Sequence, residues 1–321
     1  MERTGSVRAG LMLGAAVGAV IGGTGAAAAK GLLIGFSQAT LQSPFYVQLV
    51  KGAQDAAARE GDKVIVLDAN GDVNKQNNDV QDLLTRGVKV LVLNPVNPDA
   101  VAPALQAAGD AHVPVMTVDR AANGAVATYV GRDNKAMGRL SGQELVAQLQ
   151  AHGVKPGAKI VEIQGDAGGT VMMARRDGFA EAVGPAGYKL VMGPYAEYVR
   201  ANAVTAMQDL LQANPDVKAV YAHNDDMALG ALQVLRENNR NDVLVAGVDG
   251  LSEAVKDIAD GNQYVATAAN DPIRLGEVTV ETARKVAAGS KLPPFVDAGT
   301  APIDKQTVGR FSTDSLFARP K

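Results

Sequence analysis

Apolar residues run along this chain in short dense blocks. Between the blocks they return at every third or fourth position. Residues 88–93, 113–118, 219–222 and 243–248 are rich in Val, Ala and Leu, with little of the polar alternation of a half-exposed strand. Such blocks predict strands buried on both faces, as in parallel sheets covered by helices. Further strands are predicted at 31–36, 63–67, 159–163, 189–191 and 264–268. The intervening segments have helical spacing. In 45–59, apolar or small residues fall at Phe45, Leu49, Val50, Ala53 and Ala57. Helices are likewise predicted over 75–85, 98–111, 137–150, 171–183, 200–213, 228–237, 252–260 and 273–288. Regular βαβ alternation predicts an α/β, doubly wound fold.

The elements fall into two sets of similar design. The first crossing between them is predicted near 131–134, and the helix after Asn270 is expected to return to the first set. No low-complexity linker separates the halves, which suits a hinge of several strands better than a tether. Residues 30–132 with 271–300 are expected to form an N-terminal lobe. Residues 133–270 with 301–321 are expected to form a C-terminal lobe.

The first 29 residues differ from the rest. Arg3 and Arg8 precede an apolar, glycine-rich run at 11–23, and Ala26, Ala27, Ala28 and Ala29 precede Lys30. That layout predicts a secretory signal peptide cleaved after Ala29. The run is too short and too rich in glycine to span ~30 Å of hydrocarbon comfortably. The chain has no cysteine, so no lipid can be attached at an N-terminal Cys. The periplasm is the expected compartment.

Composition narrows the function further. The 321 residues carry a net charge of −3 and no basic stripe, which argues against nucleic acid as a partner. Trp is absent and aromatics are 4%, so the core must rest on aliphatic side chains.

In open parallel α/β sheets, ligands bind beyond the carboxyl ends of the strands. Those positions hold Asn94, Asp119 with Arg120, Asn224, Asp249 and Asn270. Any one of them alone reads as a helix cap or a turn residue. Together they form a set of short amides and carboxylates, with one guanidinium, able to hold neighbouring hydroxyls. Phe45 and Tyr46 open the first helix and Tyr198 precedes another, where flat rings could face a sugar's C–H surface or simply pack in the core.

Several motifs carry a family resemblance. They are Ser43-Pro44-Phe45-Tyr46, Val80-Gln81-Asp82-Leu83, Leu93-Asn94-Pro95, Thr117-Val118-Asp119-Arg120, Asn224-Asp225-Asp226-Met227-Ala228-Leu229-Gly230 and Gly247-Val248-Asp249-Gly250. With these the chain resembles the ribose-binding branch of the periplasmic sugar-binding proteins over roughly residues 30–308. The resemblance implies a type I periplasmic binding protein fold, with two Rossmann-like lobes joined by three crossovers and a sugar enclosed between them. It implies that Phe45, Tyr46 and Tyr198 sandwich the ring. It places Asn94, Asp119, Arg120, Arg175, Asn224 and Asp249 at hydroxyl-binding positions.

Ser43 stands where the family usually has Asn, and Asn270 where it usually has Gln. Tyr46 and Tyr198 add hydroxyls to an otherwise dry wall. These departures leave ribose, another pentose, a hexose or another polyol open as the ligand. The implied role is capture of a monosaccharide for a membrane ABC permease, with a chemotaxis receptor as a second candidate partner. A monomer without cofactor or metal, and without enzymatic activity, is expected.

Other motifs point elsewhere less well. The loop at 163–170 follows a strand and opens a helix, but lacks nucleotide-loop spacing. Asp68, Asn70, Asp72 and Asn74 mimic a calcium loop, but Gly71 comes two places too early and the twelfth residue is Asp79 rather than Glu. His112, His152 and His223 are scattered. No GxSxG elbow is present. A sugar-acting enzyme remains the alternative class, to be separated by incubation with sugars and a search for product. A sugar-sensing regulator of the same fold would carry a helix-turn-helix at the N-terminus, where this chain has the export-signal pattern.

Overall fold

The computed structural model describes Met1, Gly5 and residues 31–321. The predicted signal peptide and its cleavage site lie outside the described residues, and Gly31–Lys321 hold together as one unit. Among the described residues, no helix is long and apolar enough to cross a membrane.

The first lobe opens with β1 (Leu33–Gln38), α1 (Pro44–Arg59), β2 (Lys63–Asp68), α2 (Val73–Thr85) and β3 (Val90–Leu93). It continues through α3 (Ala102–Asp110), β4 (Val115–Val118) and β5 (Tyr129–Gly131). The second lobe contains α4 (Asn134–Ala151), β6 (Lys159–Gln164), α5 (Thr170–Val183), β7 (Lys189–Tyr195), α6 (Arg200–Ala213) and β8 (Ala219–Ala222). It continues through α7 (Asp225–Glu237), β9 (Leu244–Ala246), α8 (Ser252–Asp260) and β10 (Tyr264–Ala268). Helix α9 (Pro272–Ala287) leads to β11 (Phe295–Asp297) and β12 (Pro302–Asp304), and β13 (Phe311–Ser312) pairs with β14 (Arg319–Pro320) in the tail.

One sheet has the order β11-β5-β4-β3-β1-β2 and the other β12-β10-β9-β8-β6-β7. Both thus contain the doubly wound order 2-1-3-4-5, with every pair parallel except the antiparallel β10–β12 edge. The chain passes between the sheets three times: after β5, after β10, and between β11 and β12. The repeated order puts the switch points of the two sheets in equivalent places, at the carboxyl ends of β1 and β3 and of β6 and β8.

Burial explains the central strands. All four residues of β3, β4 and β8 are buried. Where the elements differ from the sequence expectation, polar chemistry is responsible. β1 runs to Gln38 because Ser37 and Gln38 are themselves fully buried, and Ser37 Oγ accepts from the Gln76 amide. α3 begins at Ala102 rather than Pro98 because the Asn97 side chain accepts from the backbone N–H groups of Asp99 and Ala100, making a turn there. β7 runs through Gly193 and Pro194 to Tyr195, which an edge strand allows. β5, β11, β12, β13 and β14 are two or three residues each, too short to show a period in the sequence.

Candidate functional site

A narrow cavity, with only about 20 Å³ of free space, lies between the carboxyl ends of the two sheets. Its first wall is Ser43, Phe45 and Tyr46 at the start of α1, with Asp119 just beyond β4. Its second wall is Val171 and Arg175 on α5, Tyr198 before α6, Asn224 after β8 and Asp249 after β9. Asn270, on the crossover after β10, completes it. That is far less than the ~300–1,000 Å³ common for small-molecule sites, so the two walls stand close together here.

Some lining residues do structural work as well. Ser43 caps α1, its Oγ accepting from Phe45 N at 3.3 Å with Pro44 opening the helix. Asn224 caps α7, accepting from Met227 N at 2.9 Å, while its amide donates to the Tyr198 carbonyl at 3.3 Å. Capping and cavity lining are therefore compatible at one residue. Asp119, Tyr198 and Asp249 have φ of 61°, 59° and 121°. Non-glycine residues in that region carry about 1–3 kcal/mol of strain each, and such strain concentrates at ligand sites.

The second wall rests on a buried ionic network. Arg175 is 3% exposed. Its Nε donates to Asn134 Oδ1 at 3.0 Å, Nη1 to the His223 carbonyl, and Nη2 to Asp249 Oδ1 at 3.1 Å. Asn270 Nδ2 also donates to Asp249 Oδ1, at 2.9 Å. Burial raises the Asp249 carboxyl to about 6, against the pull of Arg175 and the Asn270 amide. Burial works against the Arg175 charge, but Asp249 and its other neighbours hold its pKa above the ordinary arginine value.

Behind Asp249, Asp225 accepts from Tyr264 Oη, Thr267 Oγ1 and Leu251 N at 2.6, 2.8 and 2.7 Å. Burial, and then the Asp249 charge, raise it to about 7. On the first wall, burial raises the Asp119 carboxyl, while Arg120, Arg175 and Arg132 pull it down. The Tyr198 hydroxyl is buried with no hydrogen-bond partner. Helix spacing helps to place Arg175: a Cβ on Gly138 of α4 would come 3.0 Å from the Arg175 Cα, so glycine there lets α5 pack close.

Of the residues singled out in the sequence, nine surround the cavity: Ser43, Phe45, Tyr46, Asp119, Arg175, Tyr198, Asn224, Asp249 and Asn270. Asn94 and Arg120 do not. Asn94 is fully buried behind the wall, with its amide 3.4 Å from Gln38 Oε1 and its Oδ1 unpartnered. Arg120 stands at the mouth, in a groove that it shares with Gln42, Asn70, Asp166 and Glu197. There Arg120 Nη2 meets Asp166 Oδ2 at 3.3 Å, the two coming from opposite lobes, and its guanidinium lies 5.7 Å from the Tyr46 ring centre. Arg175 makes no pair with Glu181, which instead meets Lys135 and Arg139.

The calcium-like loop is committed elsewhere. Asp72 caps α2, and Asp79 and the Asp68 carbonyl both take Lys75. His223 is buried against Glu162 at 2.6 Å, with its pKa lowered by burial. Among the described residues, no group of three or more His, Cys, Asp or Glu side chains is placed to hold a metal ion.

Val171, Asn134, Asp166 and Arg132 also belong to the site or its support, and sequence pattern does not single them out. Val171 and Asn134 occupy helix positions that look like ordinary core or capping residues. Asp166 has only its place in the loop after β6 as a signal. Arg132 follows β5, a strand too short to be read.

The profile of the periplasmic binding protein domain matches residues 34–291. This chain belongs to that family. It is 39% identical to the ribose import binding protein of Escherichia coli (strain K12) over 254 residues, covering 79% of this chain and 84% of that protein. Among solved structures it resembles an ABC transporter solute-binding protein from Mycobacterium smegmatis with bound glycerol. There the identity is 58% and the TM-score 0.87, over 90% of this chain and 99% of that one. It also resembles the Caulobacter myo-inositol binding protein bound to myo-inositol, at 29% identity and TM-score 0.79, over 88% and 96% of the two chains.

Proposed function

We propose that this periplasmic binding protein captures a single monosaccharide or small polyol between its lobes. It then presents the closed form to a membrane ABC permease, from the periplasm. The observation that carries this reading is the cavity between the sheets, which joins Asp119 of one lobe to Arg175, Asn224 and Asp249 of the other. Phe45, Tyr46 and Tyr198 supply ring faces in the same walls. A ligand hydroxyl beside Tyr198 would satisfy its unpartnered Oη. One named relative is a ribose import binding protein, and the two solved structures hold bound glycerol and bound myo-inositol, all three molecules rich in hydroxyls. In this reading residues 30–132 with 271–300, and 133–270 with 301–321, move as two rigid bodies. A ligand that touches both favours the closed arrangement by its differential affinity. A thermal-shift screen of the mature protein against pentoses, hexoses and polyols tests this. At least one should raise the melting temperature in a saturable way, and a flat response across the panel contradicts the proposal.

The Asp249 and Asp225 carboxyls give a pH dependence with two opposite signs. Both are raised in the fold, to about 6 and about 7. The folded, ligand-free protein thus keeps protons that the unfolded chain has released. Their contribution to stability is greatest below about pH 4 and is lost as pH rises through about 6 to 7. Hydroxyls donating to Asp249 favour its ionised form, so ligand affinity should instead rise as pH climbs through about 6. Calorimetric titration should show affinity falling by about tenfold per pH unit below that point. Asp249→Asn should reduce the trend, leaving the part carried by Asp119, whose carboxyl burial also raises. An affinity that is flat from about pH 5 to about pH 7.5 is the contrary result.

The Arg120–Asp166 pair at the mouth predicts a rate effect. Asp166→Asn keeps the side chain's shape and removes the inter-lobe attraction. Ligand dissociation should speed up about two- to tenfold, with a smaller change in association. Stopped-flow measurement with the best ligand checks it, and unchanged dissociation means that the pair does not hold the mouth.

A further inference from the structure

Arg132 is 5% exposed and follows β5, at the start of the first crossover between the sheets. Its Nε donates to the carbonyl of Gly299, on the crossover between β11 and β12, at 2.6 Å. Its Nη1 donates to Asn270 Oδ1 at 2.6 Å and its Nη2 to the Asp271 carbonyl at 2.8 Å, both on the crossover after β10. One side chain on the first crossover therefore binds the other two. A guanidinium is a rigid planar fork, so its bonds can be made together only in a narrow range of relative positions of their acceptors.

The same fork sets a wall of the cavity. With Oδ1 held by Arg132, the Asn270 amide turns Nδ2 to Asp249 Oδ1, which also accepts from Arg175. A continuous chain, Arg132–Asn270–Asp249–Arg175, thus runs from the crossovers to the cavity floor. It leaves Asn270 facing a ligand chiefly as a donor. Arg132 itself does not line the cavity.

We propose that Arg132 is a positioning residue that couples the hinge to ligand recognition, pinning the three crossovers in the closed arrangement and orienting the Asn270 amide. Lobe closure and ligand discrimination then share one set of hydrogen bonds. The hinge half stands on the crossover geometry alone, and the recognition half rests on the ligand reading above.

The test uses spin labels on cysteines introduced at Gln42 and Ala167, exposed positions on either side of the mouth in a chain with no cysteine of its own. Distances are measured without ligand, so the hinge half is tested whether or not a sugar has been found. Arg132→Lys keeps the charge but loses the fork, and Asn270→Ala cuts one tie only. Each should shift the ligand-free protein towards longer mouth distances than the parent. With the best ligand of the screen, Arg132→Lys should bind about tenfold more weakly, and its preference among epimers should narrow. The Arg132→Lys/Asn270→Ala pair should lose less than the sum of the single losses. Wild-type distances in both single variants overturn the hinge half, even if the melting temperature falls, because Arg132 is then only structural. Altered distances with unchanged epimer preference overturn the recognition half. If Arg132→Lys fails to fold, Arg132→Gln is read by the same distances and epimer preferences, and Asn270→Ala bears on the hinge half alone because Asn270 itself lines the cavity.

Discussion

Arg175→Ala should weaken ligand binding by a hundredfold or more, on the order of 3 kcal/mol, and should lower stability as well. The sequence alone supports only the first half of that statement, since a family-position arginine can be lost without harm to the fold. The structure adds the second. Arg175 is buried, and its three bonds tie α4, the end of β8 and the Asp249 turn together. Its removal leaves the Asp249 carboxylate buried with only the Asn270 amide as donor. Breaking one partner out of a buried pair costs about 3–5 kcal/mol. Calorimetry and thermal unfolding of the same preparation separate the two effects. Arg175→Lys should recover stability better than affinity, because an ammonium can meet Asp249 but cannot make the fork. Wild-type affinity in Arg175→Ala would remove the second wall from the site. Asp72→Ala, outside the cavity lining, serves as the control. It should lose about 1 kcal/mol of helix-cap stability and no affinity.

Asp119→Asn should cost at least about tenfold in affinity with little change in melting temperature. Asparagine is the informative replacement. It tolerates the left-handed backbone at φ 61°, where alanine would add strain, and it keeps the side chain's shape. What it removes is an acceptor for ligand hydroxyls on the first lobe, opposite Asp249 on the second. If Asp119→Asn binds as tightly as the parent while Arg175→Ala does not, the ligand is held by one lobe only. Closure would then need another cause.

The strand–helix alternation is readable because both sheets are sandwiched by helices, so their central strands are dense apolar runs such as Val90–Leu93. The helix boundaries at Arg200–Ala213 and Ser252–Asp260 coincide with the periodic pattern. Strand-end chemistry is readable for a related reason. In a parallel sheet the carboxyl end of each strand faces the ligand side, so Asp119, Asn224 and Asp249 can be picked out from their place after an apolar block. The crossovers are harder. β5, β11 and β12 have three residues each and carry no period. Arg132 consequently looks like a surface arginine after a turn, although its side chain ties together all three crossovers between the lobes. Arg120 shows the converse limit: its sequence position points to the cavity, while its guanidinium meets the Asp166 carboxylate of the other lobe in the groove beside it. Which carboxylate an arginine meets depends on how two distant segments are brought together, and no local pattern records that.

The central claim is that one small hydroxylated ligand bridges the two lobes in this cavity. A crystal structure of the mature protein with the best ligand of the screen tests it most directly. The predicted result is a ligand in the cavity whose hydroxyls lie within hydrogen-bond distance, about 3.2 Å or less, of both Asp119 and Asp249, with its apolar face against Phe45 or Tyr198. A saturating ligand found in a surface groove, or touching the residues of one lobe alone, would contradict it.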